Sequence, residues 1–492
     1  MAASRLLNNY FGSSQVVWAV LIGLVLIYLT VGYYVGGRLA DRCPYSWALF
    51  RLLAWAGLLV GLIPFAAQPI LRYGQVGLER YAAGLLAGSL FGVLALFALP
   101  VILLGCVSPF VTRLALSDVS SAGSVAGRVY AVSTAGSIGG AFLPPLLLIP
   151  AIGTKYTFLL MSAALLLLGL GGLASFGGLR PLYGIFPLAV AALLVLMPGG
   201  VVKAVPGMIY ETESPYNYIQ VVQEGDSRYL YLNEGQGVHS FYSPSTLLTG
   251  SVWDLFLVVP LFNEPPFTSD QVQRMCLIGL AAGTVARQYT EVYGPIPIDG
   301  VEIDPQVIEV GRRFFGMTMP NLNPVAQDGR YFLASSPASY DVIAVDAYRP
   351  PYIPPHLTTV EFFAEARAHL SERGVVAINV GRTLADRSLV NVLAATMSQV
   401  FPSVYVVDMP SHSGGMSNSL VVGTKQVTEL SHFAANASTV EKLELRFVAD
   451  RVSPWVRESR GESLVFTDDR APVEQVVHRL IMRFLMEPLS TG

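Results

Sequence analysis

The chain has 492 residues, of which 53% are hydrophobic and only 13% are charged, and its formal net charge is −3. So high an apolar fraction excludes an ordinary soluble protein of this length, and the negative charge gives no reason to expect a nucleic-acid partner. The three cysteines are scattered and form neither a metal-binding spacing nor a disulfide framework. The composition therefore predicts a membrane protein without a bound metal.

The apolar excess is concentrated before residue 203. Stretches long enough to cross a bilayer, which takes about 20 residues, occur at 16–37, 47–67, 81–105, 127–150, 156–176 and 182–199. None of these stretches carries Asp, Glu or Lys in its middle. An ion-coupled carrier usually requires such a residue inside the membrane. We interpret residues 1–203 as a transmembrane domain of about six helices that anchors the protein, with a channel or carrier as the alternative.

Short alternating runs follow at 216–222 and 228–233, separated by a turn at 224–227. Alternation of apolar and polar residues on both sides of a turn is typical of a β-hairpin. Strand-like and helix-like segments begin to alternate near residue 275, which predicts a largely parallel sheet. We expect a small β-subdomain and linker at 204–262, with a connecting helix at 249–262, and a Rossmann-like nucleotide-binding domain at 263–492.

Between residues 277 and 346, apolar runs are followed by glycine or an acid. Gly279 and Gly283 follow the first run, Glu302 ends the second, and Asp346 ends a later one. Parallel strands deliver such residues to one edge of the sheet. A glycine turn, followed about 20 residues later by an acid, suits a nucleoside whose ribose hydroxyls need a carboxylate. The pattern predicts an S-adenosylmethionine-type site, the alternative being a Rossmann-like domain without that ligand.

The same motifs resemble a known family. A β-hairpin followed by the glycine turn, Val301–Asp304 (VEID), Asp328-Gly329 and Tyr340–Asp346 (YDVIAVD) is similar to the aminopropyltransferases, that is, the spermidine synthases. The resemblance covers about residues 210–480. Together with the apolar N-terminal stretches, it resembles the membrane-fused spermidine synthase-like proteins of bacteria.

The resemblance implies roles for individual residues. The glycines would let the backbone approach the cofactor, Glu302 would accept both ribose hydroxyls, and Asp328 would bind the adenine amino group. Asp346 would accept a proton from the attacking amine. The cofactor-binding residues implied in this way are Gly279, Gly283, Glu302, Ile303, Asp328, Gly329 and Asp346.

Further candidates surround this predicted pocket. His239 and Tyr216 are additional catalytic candidates from the hairpin region, although a structural role for the histidine is the alternative. Tyr348 is expected in a lid, and Asp468 or Asp469 could cap a helix or supply an acidic group to the pocket. The predicted substrate-binding residues are Arg349, Gln236, Tyr348, Asp468 and Asp469.

Two positions depart from the family pattern. Ala282 stands where the family has an aspartate for the amine of the aminopropyl arm, and Arg349 stands where it has the second aspartate of the VDxxD motif. Polyamines are cations that carboxylates bind by charge and hydrogen bonds, so these changes disfavour putrescine as acceptor. A guanidinium suits a carboxylate, which intact S-adenosylmethionine carries and its decarboxylated form lacks.

We therefore predict a membrane-anchored, spermidine synthase-like transferase. It would bind S-adenosylmethionine or its decarboxylated form and release 5′-methylthioadenosine by aminopropyl-type alkyl transfer. The alternatives are a lyase or cyclase that needs no external acceptor, a methyltransferase, and a nucleotide-gated transporter or sensor without catalysis. The expected partners are a small-molecule substrate, the lipid bilayer and a second copy of the chain.

The charges beside the predicted spans do not orient them, because basic residues flank both faces in similar number. The location of the nucleotide site decides the orientation, since such cofactors are made in the cytosol. We expect a multi-pass protein of the cell inner membrane whose C-terminal domain is cytoplasmic.

Overall fold

The computed structural model describes residues 2–11, 15–78, 84–116, 118, 122–197, 205–233, 237–348, 352–410, 416–459 and 464–486. The chain divides into two compact units. The first comprises 1–205, 211–218 and 233–235, and the second comprises 206–210, 219–232 and 236–492.

The first unit is built from α-helices. They are α1 (Ala2–Phe11), α2 (Gln15–Arg42), α3 (Ser46–Leu78), α4 (Gly84–Gly105), α5 (Val107–Ala115), α6 (Ala122–Leu143), α7 (Ile149–Ser175) and α8 (Pro181–Leu196). Among the described residues, four segments are long and apolar enough to cross a membrane: Trp18–Arg42, Ser46–Ala67, Leu90–Ala115 and Ala122–Ser175. The last combines two predicted spans, and α8 is shorter, so the number of spans stays a prediction.

Small residues let α3 and α7 approach closely. A Cβ on Gly169 would lie 2.6 Å from the backbone nitrogen of Ala54, and the Ser162 hydroxyl donates to the carbonyl of Gly57 at 2.6 Å. Close backbone approach and interhelical hydrogen bonds are what hold helices together in an apolar environment. The glycines of this pair are therefore required by packing.

The chain is interrupted twice between α6 and the body of α7. The first interruption is a π-helical turn over Pro144–Leu148, consistent with the missing amide hydrogens of two prolines. A second break occurs at Gly153, whose φ is 78°. It leaves the amide of Thr154 without a helical partner, and the Glu213 carboxylate accepts that hydrogen bond at 2.8 Å.

The predicted hairpin is part of a four-stranded sheet. Its strands are β1 (Met208–Glu213), β2 (Tyr218–Glu224), β3 (Ser227–Leu232) and β4 (Val238–Tyr242), in that order. Strands β2 and β3 are antiparallel with Ile219 opposite Leu232, and Gly225 supplies the left-handed turn between them at φ 59°.

A larger, eight-stranded sheet forms the centre of the second unit. Its strands are β5 (Met275–Ile278), β6 (Ile298–Glu302), β7 (Leu322–Ala326), β8 (Tyr340–Val345), β9 (Leu370–Arg382), β10 (Ser403–Asp408), β11 (Ser417–Thr424) and β12 (Val456–Glu458). The order across the sheet is β12-β10-β11-β9-β8-β5-β6-β7. Within the block β9-β8-β5-β6-β7, each strand is parallel to the next.

Helices cover both faces of this sheet. They are α9 (Val252–Leu255), α10 (Thr284–Tyr293), α11 (Pro305–Phe314), α12 (Gly329–Ser335), α13 (Val360–Ala368), α14 (Ser388–Met397), α15 (Leu430–Thr439), α16 (Leu443–Val452) and α17 (Val473–Met486). Alternate residues of a strand point to opposite faces, so Leu277 and Ala344 lie in one buried cluster and Ile278 and Val345 in the other. The Rossmann-like fold class is confirmed.

The structure differs from the sequence prediction in three elements. The helix expected at 249–262 is only the four residues of α9 followed by a 3-10 segment, Phe256–Phe262, which contains Pro260. Strand β7 was not predicted, because Asn323 and Pro324 are unfavourable in a strand; it is tolerated at the edge of the sheet. The sheet is mixed, since β11 is antiparallel to both β10 and β9.

Candidate nucleoside and transfer site

The glycine turn after β5 lies against the backbone of Asp346. Gly279 has a φ of 90°, and a Cβ there would lie 2.5 Å from the carbonyl carbon and oxygen of Asp346. Gly283 has a φ of 91° and precedes α10, in a conformation that side chains disfavour. Both glycines are thus required by the turn itself, which brings its backbone to the carboxyl edge of the sheet.

Glu302 joins the end of β6 to this turn. Its Oε2 accepts a hydrogen bond from the Ala281 amide at 3.0 Å, and its Oε1 accepts one from the Asp304 amide at 3.1 Å. Burial raises the pKa of Glu302 to about 7 although these hydrogen bonds oppose the shift. Asp304 caps α11 by accepting from the Gln306 amide at 3.0 Å, and Ile303 beside it is exposed.

Asp346 follows β8, and both of its carboxylate oxygens are hydrogen-bonded. Oδ1 accepts from the side-chain amide of Asn379 at 2.8 Å, and Oδ2 accepts from the indole N–H of Trp253 at 3.1 Å. Burial raises the pKa of Asp346 to about 6, and the two hydrogen bonds lower it. Asn418 fixes the orientation of Asn379 by donating to its Oδ1 at 2.8 Å. A carboxylate held in this way is a suitable proton acceptor near neutral pH.

Sequence reasoning missed Trp253 and Asn379. The asparagine carried a usable signal, because it is a polar residue near the end of the apolar run that forms β9. The tryptophan carried none, since it lies 93 residues from Asp346 in a segment that resembles a core helix.

Asp328 and Gly329 lie at the start of α12. Asp328 accepts from the amides of Arg330 and Tyr331 at 3.0 and 3.1 Å, and its other oxygen is 3.0 Å from Nε2 of His356. A Cβ on Gly329 would collide with Ile278 of β5. These contacts place Asp328 as a helix cap, and its predicted contact with an adenine stays a prediction.

Asp468 belongs to a charged network with α12. Arg330 donates to Glu365 at 2.6 Å and to Asp468 at 2.7 Å, and Arg330 holds the pKa of Asp468 below its usual range. Asp469 is exposed next to it. Helix α17 begins at Val473, so the Asp468 carboxylate joins the C-terminal turn to Arg330 rather than capping that helix.

The structure locates some of the remaining candidates. The His239 ring on β4 has a buried Nε2 without a hydrogen-bond partner, and burial lowers its pKa to about 4, so the ring is neutral at pH 7. The hydroxyl of Tyr348 accepts from the Gly381 amide at 2.5 Å, so this predicted lid residue is fixed to β9. Tyr216 lies in the turn between β1 and β2 and is grouped with the first unit. Gln236 and Arg349 lie outside the described residues.

Ala282 lies in an apolar cluster. Its side chain is 2% exposed and packs with Val307, Val310 and Phe315, while its amide donates to the Ser240 hydroxyl at 2.9 Å. A carboxylate at this position would be buried among apolar side chains at a high free-energy cost. The apolar surroundings therefore fit an alanine at this position better than the aspartate of the family pattern.

The sheet topology and the groups gathered at its carboxyl edge define a Rossmann-like domain with a candidate nucleoside site. The family model described as the spermine/spermidine synthase domain matches residues 261–432. A polyamine aminopropyltransferase of Vibrio vulnificus is 31% identical over 224 residues, covering 42% of this chain and 69% of that protein. The chain belongs to the spermidine synthase family, which confirms the predicted resemblance.

Two further similarities each cover about half of this chain. A probable polyamine aminopropyl transferase of Bifidobacterium longum is 32% identical over 283 residues, which cover 54% of this chain. The chain spans 61% of that relative's length. A probable spermidine synthase from Corynebacterium glutamicum has a solved structure with a TM-score of 0.39 and 21% identity, covering 53% of this chain and 98% of that one.

Proposed function

We propose that the protein is a membrane-anchored transferase that binds an adenosine sulfonium donor and releases 5′-methylthioadenosine. The donor is S-adenosylmethionine or its decarboxylated form. The observation that carries this proposal is Asp346, buried at the end of β8 against the glycine turn, with both oxygens hydrogen-bonded and its pKa raised to about 6. A site that only binds a nucleoside has no need of a proton acceptor at this position.

The transfer step assigns a proton to Asp346. A nitrogen of the acceptor forms a bond to the methylene carbon next to sulfur, and the carbon–sulfur bond breaks. The electron pair stays on sulfur, which leaves as a neutral thioether in 5′-methylthioadenosine. The proton lost by the nitrogen passes to the carboxylate of Asp346, while Glu302 holds the ribose hydroxyls.

We propose further that putrescine is not the acceptor. The support is the apolar surroundings of Ala282, which leave that position without a carboxylate for a cationic amine, together with Arg349 in place of a second aspartate. The same arginine favours a donor that carries a carboxylate, namely intact S-adenosylmethionine. Isothermal titration with the two donors tests this preference, and tighter binding of the decarboxylated form contradicts it.

The decisive experiment measures 5′-methylthioadenosine by chromatography. Asp346→Asn keeps the shape of the side chain but cannot accept the proton, and we expect at least a hundredfold lower rate. The control is Asp450→Asn, which changes an exposed carboxylate on α16 and should leave the rate unchanged. Equal rates for wild type and Asp346→Asn would contradict the assigned role.

The same assay separates the alternatives. Release of 5′-methylthioadenosine without any added amine would identify a lyase or cyclase, an outcome for which the apolar position of Ala282 gives support. Release of S-adenosylhomocysteine would identify a methyltransferase. Binding of the nucleoside without either product would identify a sensor or gated transporter.

We propose that residues 1–203 insert into the membrane, supported by four long apolar segments. The proposed location is the inner membrane with the transferase domain in the cytoplasm, where the donor is made. A second copy of the chain is the proposed partner.

A further inference from the structure

A cavity of about 640 Å³ lies within the helices of the first unit. Its wall is made by residues from four helices, α2, α4, α5 and α6. The volume is within the range of about 300–1,000 Å³ that is usual for small-molecule sites.

One face of α6 forms a long side of the cavity. Val125, Val129, Ser133 and Ser137 line it at the four-residue spacing of a single helix face. From Val125 to Ser137 this face extends about 18 Å at 1.5 Å per residue. The cavity is therefore elongated, a shape that suits an extended acyl chain.

The wall is apolar along most of this length. Leu29 of α2, Leu104 of α4 and Val111 of α5 line it together with the valines of α6. The hydroxyl of Ser137 donates to the carbonyl of Ser133 at 2.9 Å, so it is satisfied within its own helix. This part of the cavity would accept hydrocarbon.

The wall of the cavity also carries a positive charge. Arg128 is in the wall, six residues from the start of α6, and no acidic side chain is among the described residues that line the cavity. Arg128 also takes part in no ion pair within the described part of the chain. By contrast, Arg113 on the neighbouring α5 is paired with Asp41 of α2 at 3.4 Å.

An arginine beside an apolar cavity in a membrane helix indicates a partner of opposite charge, and basic pockets between membrane helices suit phosphate headgroups. We propose that this cavity binds an anionic phospholipid, with one acyl chain along α6 and the phosphate at Arg128. The occupant is a lipid of the surrounding membrane, because the helices that form the cavity are those apolar enough to be embedded in it. This inference rests on the proposed membrane insertion of residues 1–203.

Native mass spectrometry of the full chain, purified in detergent and titrated with lipid, tests the proposal. We expect dioleoyl phosphatidylglycerol to be retained at least tenfold more tightly than dioleoyl phosphatidylcholine, and Arg128→Gln to remove the difference. Arg128→Lys should keep most of it. The matched control is Arg180→Gln, an exposed arginine preceding α8 that does not line the cavity.

A second variant tests the cavity independently, in case Arg128→Gln does not fold. Val129→Trp narrows the cavity without changing charge and should reduce retention of both lipids. Equal retention of the two lipids by the wild type, an identical effect of Arg128→Gln and Arg180→Gln, or preferential retention of free oleate would each overturn the proposal. Failure of the chain to enter the membrane fraction, measured separately, would instead refute the anchoring on which it rests.

Discussion

The properties of Asp346 come from the balance between burial and two hydrogen bonds. Burial disfavours the charged carboxylate and raises its pKa, whereas donors aimed at its oxygens stabilise the charge. Trp253 and Asn379 supply one donor to each oxygen. The carboxylate is thereby kept in one orientation with a pKa of about 6, which leaves it mostly ionised at pH 7.

Replacing the tryptophan tests this balance. Trp253→Phe retains an aromatic ring but removes the N–H, so the charged form of Asp346 loses a donor and its pKa rises. A hydrogen bond to a charged group contributes about 1.5 kcal/mol or more, which corresponds to about one pKa unit. The lower-pH limb of the kcat/KM profile should therefore move from about pH 6 to about pH 7.

The control for this prediction is Trp455→Phe, at an exposed tryptophan elsewhere in the second unit. Its profile should match that of the wild type. A Trp253→Phe enzyme with a uniformly lower rate and an unmoved limb would indicate that the indole acts only through packing.

The raised pKa of Glu302 leads us to expect that nucleoside binding depends on pH. Its pKa is raised to about 7 by burial, so the carboxylate that we propose accepts the ribose hydroxyls is mostly protonated at pH 6 and mostly ionised at pH 8. Affinity for 5′-methylthioadenosine, measured by isothermal titration, should rise across this interval. Glu302→Gln should bind weakly with no such rise, and a pH-independent wild type would disprove the role.

The raised pKa of Glu302 also affects the stability of the fold, which should decrease with rising pH, whereas nucleoside binding should increase. Because the folded state binds this proton more tightly than the unfolded state, protonation of Glu302 stabilises the fold at low pH. Its contribution to the free energy of unfolding falls as pH rises from 4.5, the ordinary pKa of a glutamate, to about 7.

At the scale of elements, parallel strands bring the site together. Ile278 of β5 is in register with Val301 of β6 and with Val345 of β8, so the residues that follow these strands emerge at the same level. This arrangement joins Gly279, Glu302 and Asp346, which are separated in sequence. In the first unit, close packing between elements occurs where α3 and α7 cross. Glycines at this crossing leave room for the two backbones to approach.

Two glycines of α7 provide a matched test of that helix contact. Gly169→Leu places a side chain where a Cβ already lies 2.6 Å from Ala54, whereas Gly171→Leu enters open space. Overpacking costs about 1–3 kcal/mol, so only the first change should lower the thermal unfolding temperature in detergent, followed by tryptophan fluorescence. Equal melting of the two variants would contradict the packing role of Gly169.

At the scale of the whole molecule, an apolar helical unit and a Rossmann-like unit of the spermidine synthase family are encoded in one chain. Four long apolar segments predict that the full-length protein remains with the membrane after an alkaline carbonate wash and is released by detergent. Release by carbonate alone would indicate surface association and would remove the basis for an embedded helical unit.

Part of this organisation could be predicted from local sequence. Gly279, Glu302 and Asp346 were identifiable because strand ends and glycine turns leave a short-range pattern. The direction of β11 was not, since buried strands of either direction are runs of apolar residues. The charge network of Arg330 with Glu365 and Asp468 joins residues up to 138 positions apart, and no local pattern indicates such a pairing.

The sequence alone determined the apolar N-terminal half, the Rossmann-like alternation and the acids at the strand ends, because hydrophobic period and turn chemistry are local properties. Only the tertiary structure decided that Trp253 and Asn379 hold Asp346, that Ala282 lies among apolar side chains, and that Arg128 borders a cavity. Those features depend on which distant surfaces meet when the chain buries its apolar area.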